Sequence, residues 1–236
     1  MAYLSIFSTV ITFIFAVAVF VRYARKKRIY LLLWGVGLVF YGLGTLMEAL
    51  LLFQFNGGAL KLWYLSGAML TAAWLGQGTI NLLVRKRGVA PALNLFLLLI
   101  SLVALAVVLA APLTAAASTY NITRPASEQY QAILTRSGLM IFLTIFLNIY
   151  GTLALVGGAL YSAYLFWRKQ VLLNRVFGNL LIAGGALLPA MAGSFVKAGL
   201  VDWLYLSELL GSIVMFLGFL MATAPQTAPA SSTQPV

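Results

Sequence analysis

The sequence predicts an all-α polytopic membrane protein with seven transmembrane helices, from its composition, the lengths of its apolar segments and the placement of its charges. Of its 236 residues, 63% are hydrophobic and only 8% are charged, whereas a soluble domain carries about 25% charged residues. A soluble fold of this length has too small an interior for that much apolar surface. Lipid must therefore be the solvent for most of the chain.

Seven apolar segments, each long enough to cross the hydrocarbon core of a bilayer, define the helices. Asn56-Gly57 marks the turn after the second, Pro91 suits the first turn of the fourth, and Pro189 predicts a kink in the sixth. Residues 1–222 form one transmembrane domain, and residues 223–236 are expected to be a disordered cytoplasmic tail. The predicted helices cover approximately residues 4–21, 29–53, 61–84, 91–111, 138–167, 176–198 and 202–222.

The basic residues predict the orientation of the bundle. The connections after the first, third and fifth helices contain five, three and three Lys or Arg residues, and the remainder of the chain contains four. By the positive-inside rule the N-terminus lies outside and the C-terminus lies in the cytoplasm. Residues 112–137, which form the longest connection, are then on the outer side.

Two halves of the chain resemble each other in outline. Arg28-Ile29-Tyr30 parallels Arg175-Val176-Phe177, and Tyr64-Leu65-Ser66 recurs as Tyr205-Leu206-Ser207. Both halves run from outside to inside, which indicates a parallel 3+1+3 repeat with the fourth helix as the link. The alternative is coincidence, because short matches arise easily in a chain so rich in leucine.

The chain contains no Cys and no His, which excludes several classes of function. Thiolate and imidazole metal sites, haem ligated by these residues and Ser-His hydrolases all need one or the other. A carboxylate-dyad protease would need two aspartates, and Asp202 is the only one. We therefore expect no metal, no cofactor and no catalytic residue, so that an enzyme is disfavoured.

The net charge of +11 is not the footprint of a nucleic-acid-binding protein. The basic residues lie in short connections beside apolar spans and form no continuous face with interleaved aromatic residues. Contact with anionic lipid headgroups accounts for them. The expected partners are membrane lipids and a small solute or lipophilic ligand.

Two carboxylates lie inside predicted transmembrane helices, where a charge costs about 2.5–3.5 kcal/mol at the centre and usually has a function. Glu48 and Glu208 both lie about five residues, or roughly 8 Å, from the outer end of their helices, so they share a depth. Tyr41 and Thr45 lie on the same helix face as Glu48, and Tyr205 lies on the same face as Glu208.

Lys197, near the outer end of the sixth helix, is the nearest predicted counter-charge for Glu48 and Glu208, and Asn148 adds uncharged polarity from the fifth helix. Three interpretations remain open. The carboxylates line an outward-facing polar cavity between the second, third, fifth, sixth and seventh helices, or they pair with Lys197 and lock helices together, or they snorkel to the outer interface. The cavity interpretation predicts these ligand-binding residues: Glu48, Glu208, Lys197, Tyr41, Thr45, Tyr205 and Asn148.

Other polar and small residues suggest helix packing. Gln77 and Asn81, one turn apart in the inner half of the third helix, are expected to make interhelical hydrogen bonds, with an inner gate as the alternative. A set of glycines is expected to allow close approach of neighbouring helices rather than to contact a ligand. They are Gly35, Gly37, Gly42, Gly44, Gly157, Gly158, Gly184 and Gly185.

Three stretches, residues 63–79, 148–169 and 179–190, resemble a family of bacterial seven-helix membrane proteins with no assigned activity. That resemblance implies the same fold class and a bacterial inner (plasma) membrane location, and it implies no mechanism. The 3+1+3 outline is also similar to the SWEET sugar carriers, whose Pro-Gln motif is missing here because Ala190 follows Pro189. A further outline similarity is to the seven-helix sensor regions of histidine kinases.

The function expected from these observations is that of a carrier or binding protein for a small solute or lipid. The alternative is a membrane sensor or accessory subunit that acts through a protein partner.

Overall fold

A computed structural model of the protein describes residues 2–169, 173–191 and 199–224. These ranges are helical almost throughout. The α-helices are α1 (Ala2–Lys26), α2 (Ile29–Leu51), α3 (Gly57–Trp63), α4 (Thr71–Leu83), α5 (Val89–Ala110), α6 (Ala126–Ile133), α7 (Gly138–Thr152), α8 (Gly158–Arg168), α9 (Leu173–Ala190) and α10 (Val201–Thr223). Two π-helical segments, π1 (Tyr64–Leu70) and π2 (Leu153–Gly157), and a 3-10 turn (Ala115–Thr119) complete them.

Six helices among the described residues are long and apolar enough to cross a membrane, which establishes a multi-pass membrane protein. They are Tyr3–Lys26, Ile29–Leu51, Val89–Ala110, Gly138–Arg168, Leu173–Ala190 and Trp203–Thr223.

The third predicted helix is present but is not one of those six. It is a continuous run of α3, π1 and α4. It packs against α2, α5, α7 and α8, and Gln77 and Thr79 are buried within it. A helix surrounded by protein needs less apolar surface than one that faces lipid. The count of seven spans therefore stays a prediction. The orientation and the internal repeat also stay predictions.

The start of this third helix differs from the prediction. Asn56 is the N-cap of α3, and its side chain accepts a hydrogen bond from the Ala59 backbone N–H at 3.0 Å. Gly57 is thus the first helical residue rather than part of an open turn. An Asn that satisfies an otherwise unpaired backbone N–H starts a helix early.

The long connection after α5 is more structured than its polar composition indicated. A backbone N–H at Thr114 donates to the carbonyl of Ile133 at 2.8 Å, and the Thr135 N–H donates to the carbonyl of Pro112 at 3.0 Å. These bonds close residues 112–135 into a loop that holds α6. Glu128 in the first turn of α6 suits the positive end of the helix dipole.

Glycines set the approach of several helices. A Cβ on Gly44 would lie 2.7 Å from the Cα of Gly67, so α2 touches the backbone of π1. A Cβ on Gly185 would similarly meet α10 backbone at 2.7 Å. The predicted packing role holds at these positions and fails at Gly157 and Gly184, where a Cβ would have no neighbour within 4 Å.

A polar cluster joins α4, α5 and α7, at the end of the bundle away from α6. The side chain of Asn94 on α5 accepts from Gln77 at 2.5 Å and from Asn81 at 2.6 Å. The Tyr150 hydroxyl on α7 donates to the side-chain carbonyl of Gln77. Gln77 and Asn81 therefore make the predicted interhelical hydrogen bonds, and the gate interpretation is unnecessary.

Two predictions fall on residues outside the described ranges. They are the position of Lys197 and the disorder of the tail beyond Ala224.

Candidate functional site

A cavity of about 370 Å³ lies in the half of the bundle beneath α6. Helices that are distant in sequence form its walls: α2, the run from α3 to α4, the run from α7 to π2, α9 and α10. Polar groups lie on α2, α4, α6, α7 and α10, and apolar side chains close the deeper part. The lining residues are Tyr41, Gly44, Thr45, Trp63, Gly67, Ala68, Thr71, Ala72, Leu75, Ser127, Tyr130, Gln131, Asn148, Thr152, Leu155, Val156, Ala186, Pro189, Ala190, Leu204, Glu208 and Met215.

Both π segments lie on the cavity wall. In π1 the Thr71 backbone N–H bonds to the carbonyl of Ser66, five residues back, and Gly67 and Ala68 line the cavity. In π2 the lining residues are Leu155 and Val156. A π turn is wider than an α turn and is frequently found at functional sites. Nothing in the hydrophobic pattern of the sequence marked these segments.

Asn148 ties the two π-containing helices together. Its amide nitrogen donates to the carbonyl of Ala68 in π1 at 2.6 Å and to the carbonyl of Thr144 at 2.8 Å. Both amide hydrogens are therefore used. The group that Asn148 can offer to the cavity it lines is its carbonyl oxygen, which is an acceptor.

Glu208 on α10 is the acidic group on the cavity wall. Its backbone carbonyl accepts a hydrogen bond from the Tyr41 hydroxyl on α2 at 2.8 Å, which fixes α10 against α2 at this level. Thr45 completes the polar strip of α2, since its hydroxyl accepts from Thr9 on α1 at 2.9 Å. The side chain of Glu208 is half-buried because one side opens on the cavity.

Glu48 lies behind this wall rather than on it. Its side chain is 1% exposed, and its carboxyl group is near enough to that of Glu208 for the two charges to act on each other. Neither oxygen of Glu48 has a hydrogen-bond partner among the described residues, and the same is true of one oxygen of Glu208. A buried polar group without a partner is costly, so this arrangement requires a physical reason.

Tyr205 also lies behind the wall. It is fully buried, and its hydroxyl interacts with both carboxyl groups without a hydrogen-bond partner in the described part of the chain. The structure thus brings six of the seven predicted site residues into one region. Tyr41, Thr45, Asn148 and Glu208 line the cavity, whereas Glu48 and Tyr205 form a second layer; Lys197 lies outside the described residues.

Helix α6 forms a roof over the cavity. The ring of Tyr130 packs against Trp63 and Tyr64 with centroid distances of 5.4 and 5.5 Å. The guanidinium group of Arg136 lies 5.1 Å from the centre of the Tyr130 ring. The sequence offered one signal for this roof, the Pro125-Ala-Ser-Glu128 start of a helix, and it was missed.

Tyr120, in the connection that carries α6, reports on the surroundings of the acidic pair. Burial raises the pKa of the Tyr120 hydroxyl to about 12, with the neighbouring charge of Glu48 as a second cause. Its ring packs at a tilt against Phe55 with a centroid distance of 4.8 Å. The connection therefore covers Glu48 from above with aromatic surface and leaves it sealed from solvent.

The chain matches no protein-family model, no curated protein and no solved structure. The likeness to a bacterial seven-helix family stays a prediction. What the helices establish is an integral multi-pass membrane protein. Any function must therefore be argued from the cavity and its carboxyl groups.

Proposed function

We propose that this protein binds a small solute or lipid in the cavity beneath α6 and acts as its carrier or binding protein. The observation that carries this proposal is the carboxyl group of Glu208 in the wall of a 370 Å³ cavity whose deeper part is apolar. Cavities of about 300–1,000 Å³ with apolar walls and few convergent polar groups are typical ligand sites. Such a cavity favours a ligand with one polar and one apolar end.

The described residues offer Glu208 no basic partner for a purely structural role, and Lys197, the partner predicted for that role, lies outside them. A helix-locking acid would pair with a basic side chain. Among the described residues the ion pair is Arg124–Glu128, in the connection above the cavity, and the described lining residues include no Lys or Arg. Snorkelling is also disfavoured, because Glu48 is 1% exposed.

The test is native mass spectrometry of protein extracted gently from its own membrane. Wild type should retain a small molecule or lipid of defined mass. Ala68→Phe places a ring into the cavity that Ala68 lines and should abolish retention. Ala106→Phe, the same change at an exposed position of α5, is the matched control and should retain the ligand.

Two outcomes would contradict the proposal. One is equal retention by wild type and Ala68→Phe, since the bound molecule would then occupy another surface. The other is a second polypeptide in fixed stoichiometry with no small ligand, which would favour a sensor or accessory subunit. Charge-neutral Glu208→Gln should also weaken retention while the protein still folds.

A further inference from the structure

The two carboxyl groups differ in access. Glu208 opens on the cavity, whereas Glu48 is 1% exposed and is not among the lining residues. The charge of each carboxyl group acts on the other, and neither Glu48 oxygen has a hydrogen-bond partner among the described residues. Any ligand group that approaches this side of the cavity therefore meets Glu208 first and acts on Glu48 through it.

An unpartnered hydroxyl group lies near this pair. The Tyr205 hydroxyl is fully buried, interacts with both carboxyl groups and has no hydrogen-bond partner in the described residues. Hydroxyls can donate to a carboxylate or accept from a carboxylic acid, so the pair has a group at hand that tolerates either state.

The described groups that face the pair do not supply a positive charge. The titratable side chains that act on it are Tyr41 on α2, Tyr205 on α10 and Tyr120 in the connection. Glu128 on α6 acts on Tyr205 and is paired with Arg124 at 2.8 Å. No described Lys or Arg is within ion-pair distance of either carboxyl group.

Two adjacent ionised carboxylates in a water-poor site are strongly unfavourable unless a cation or a proton neutralises them. We propose that Glu48 and Glu208 form a proton-holding pair, and that a cationic group of the ligand replaces one proton at Glu208. One positive charge enters the cavity as one proton leaves for water, so the net charge of the site is unchanged. This inference rests on the proposed function and specifies its ligand as an amphiphilic cation.

The first experiment asks whether the pair holds a proton. Infrared difference spectra of the protein in lipid nanodiscs at neutral pH should show the carbonyl stretch of a protonated carboxylic acid. The band should be lost in the double variant Glu48→Gln, Glu208→Gln. Glu128→Gln, which changes an acid already paired with Arg124, is the control and should leave the band unchanged.

Thermal unfolding of the same variants gives a second readout. Gln resembles a neutral Glu in shape, so single Gln substitutions in a proton-holding pair should fold as stably as wild type. If Lys197 instead neutralised an ionised carboxylate, the same variants would leave that lysine unpaired and lower the stability. Their loss of stability would overturn the inference.

The second experiment tests the exchange with tetraphenylphosphonium, a lipophilic cation that has no proton to donate. Binding to wild type in weakly buffered solution should release about one proton per bound cation, and Glu208→Gln should release none. Absence of binding, or binding without proton release, would overturn the exchange. If the native mass spectra still show a ligand that Ala68→Phe displaces, the binding function stands and the proton coupling alone fails.

Discussion

The crossing of α4 and α7 permits a sharp test of helix packing, because only a glycine fits at position 151. A Cβ on Gly151 would lie 2.1 Å from the backbone carbon and 2.3 Å from the carbonyl oxygen of Ala72. Carbon atoms attract at about 3.5–4.0 Å, so Gly151→Ala must push the two backbones apart by more than about 1 Å. Neither partner is a flexible side chain that could rotate away.

Overpacking of this kind costs about 1–3 kcal/mol, and we expect Gly151→Ala to destabilise the protein by at least that amount. Gly157→Ala is the matched control, on the same continuous helical run, because a Cβ there would have no neighbour within 4 Å. It should be neutral or gain up to about 1 kcal/mol from helix propensity. The measurement is equilibrium unfolding in mixed micelles with increasing SDS. Equal stability of the two variants would refute the close approach of α4 and α7.

Two further predictions concern polar groups. Asn94→Leu should destabilise the protein by about 1 kcal/mol, because it removes the acceptor shared by Gln77 and Asn81. The control in the same unfolding assay is Asn179→Leu, since the Asn179 amide donates to a carbonyl of its own helix. Equal effects of the two substitutions would contradict the polar cluster. Tyr120→Phe should be neutral or stabilising, because it removes a buried hydroxyl without a described partner and keeps the ring. The folded state raises the pKa of the Tyr120 hydroxyl from 10 to about 12. The wild-type protein therefore keeps its full stability below about pH 10 and loses part of it as the pH rises toward 12. The variant should therefore resist alkaline unfolding better than wild type, and an ultraviolet titration that shows Tyr120 ionising near pH 10 would contradict this.

The long helices could be predicted from the sequence because lipid demands about 20 consecutive apolar residues, a strong and simple signal. Their ends were less predictable. Helix α1 continues through Arg25 and Lys26, since basic residues are good helix formers and can extend to the interface. The third helix begins at Gly57 because a side-chain cap, and not hydrophobicity, sets its start.

The arrangement around the two acids could be predicted in part from the sequence. Equal depth and shared helix faces placed Glu48 with Tyr41 and Thr45, and Glu208 with Tyr205, and the structure brings these residues into one region but in two layers. Sequence spacing could not show that Glu48 lies behind Glu208, because the rotation of each helix about its axis depends on packing between segments far apart in the chain. The partners of Gln77 were missed for the same reason, since Asn94 lies on a helix that otherwise reads as uniformly apolar.

The roof formed by α6 and the two π segments could not be predicted from the hydrophobic pattern of the sequence. Helix α6 is only eight residues long, too short to give a clear periodic signal, and it is held by two backbone hydrogen bonds between its flanks. A π turn changes which residues face inward without changing composition. The signal that could have indicated π1 is the Ser66-Gly67 pair, because helix irregularities often coincide with Gly and Ser.

The π segments also bear on how such a protein could arise. In π1 the bond from Thr71 to Ser66 spans five residues where an α-helix spans four, so the segment is equivalent to one inserted residue. Deleting a single codon within residues 64–70 would restore an ordinary α-helix and leave the inward register of Gln77 and Asn81 unchanged. A deletion of the same size within α4, before Gln77, would rotate that polar pair by about 100° and away from Asn94 on α5. Single-residue insertions in two wall helices are therefore a short evolutionary route from a tightly packed bundle to one with a cavity.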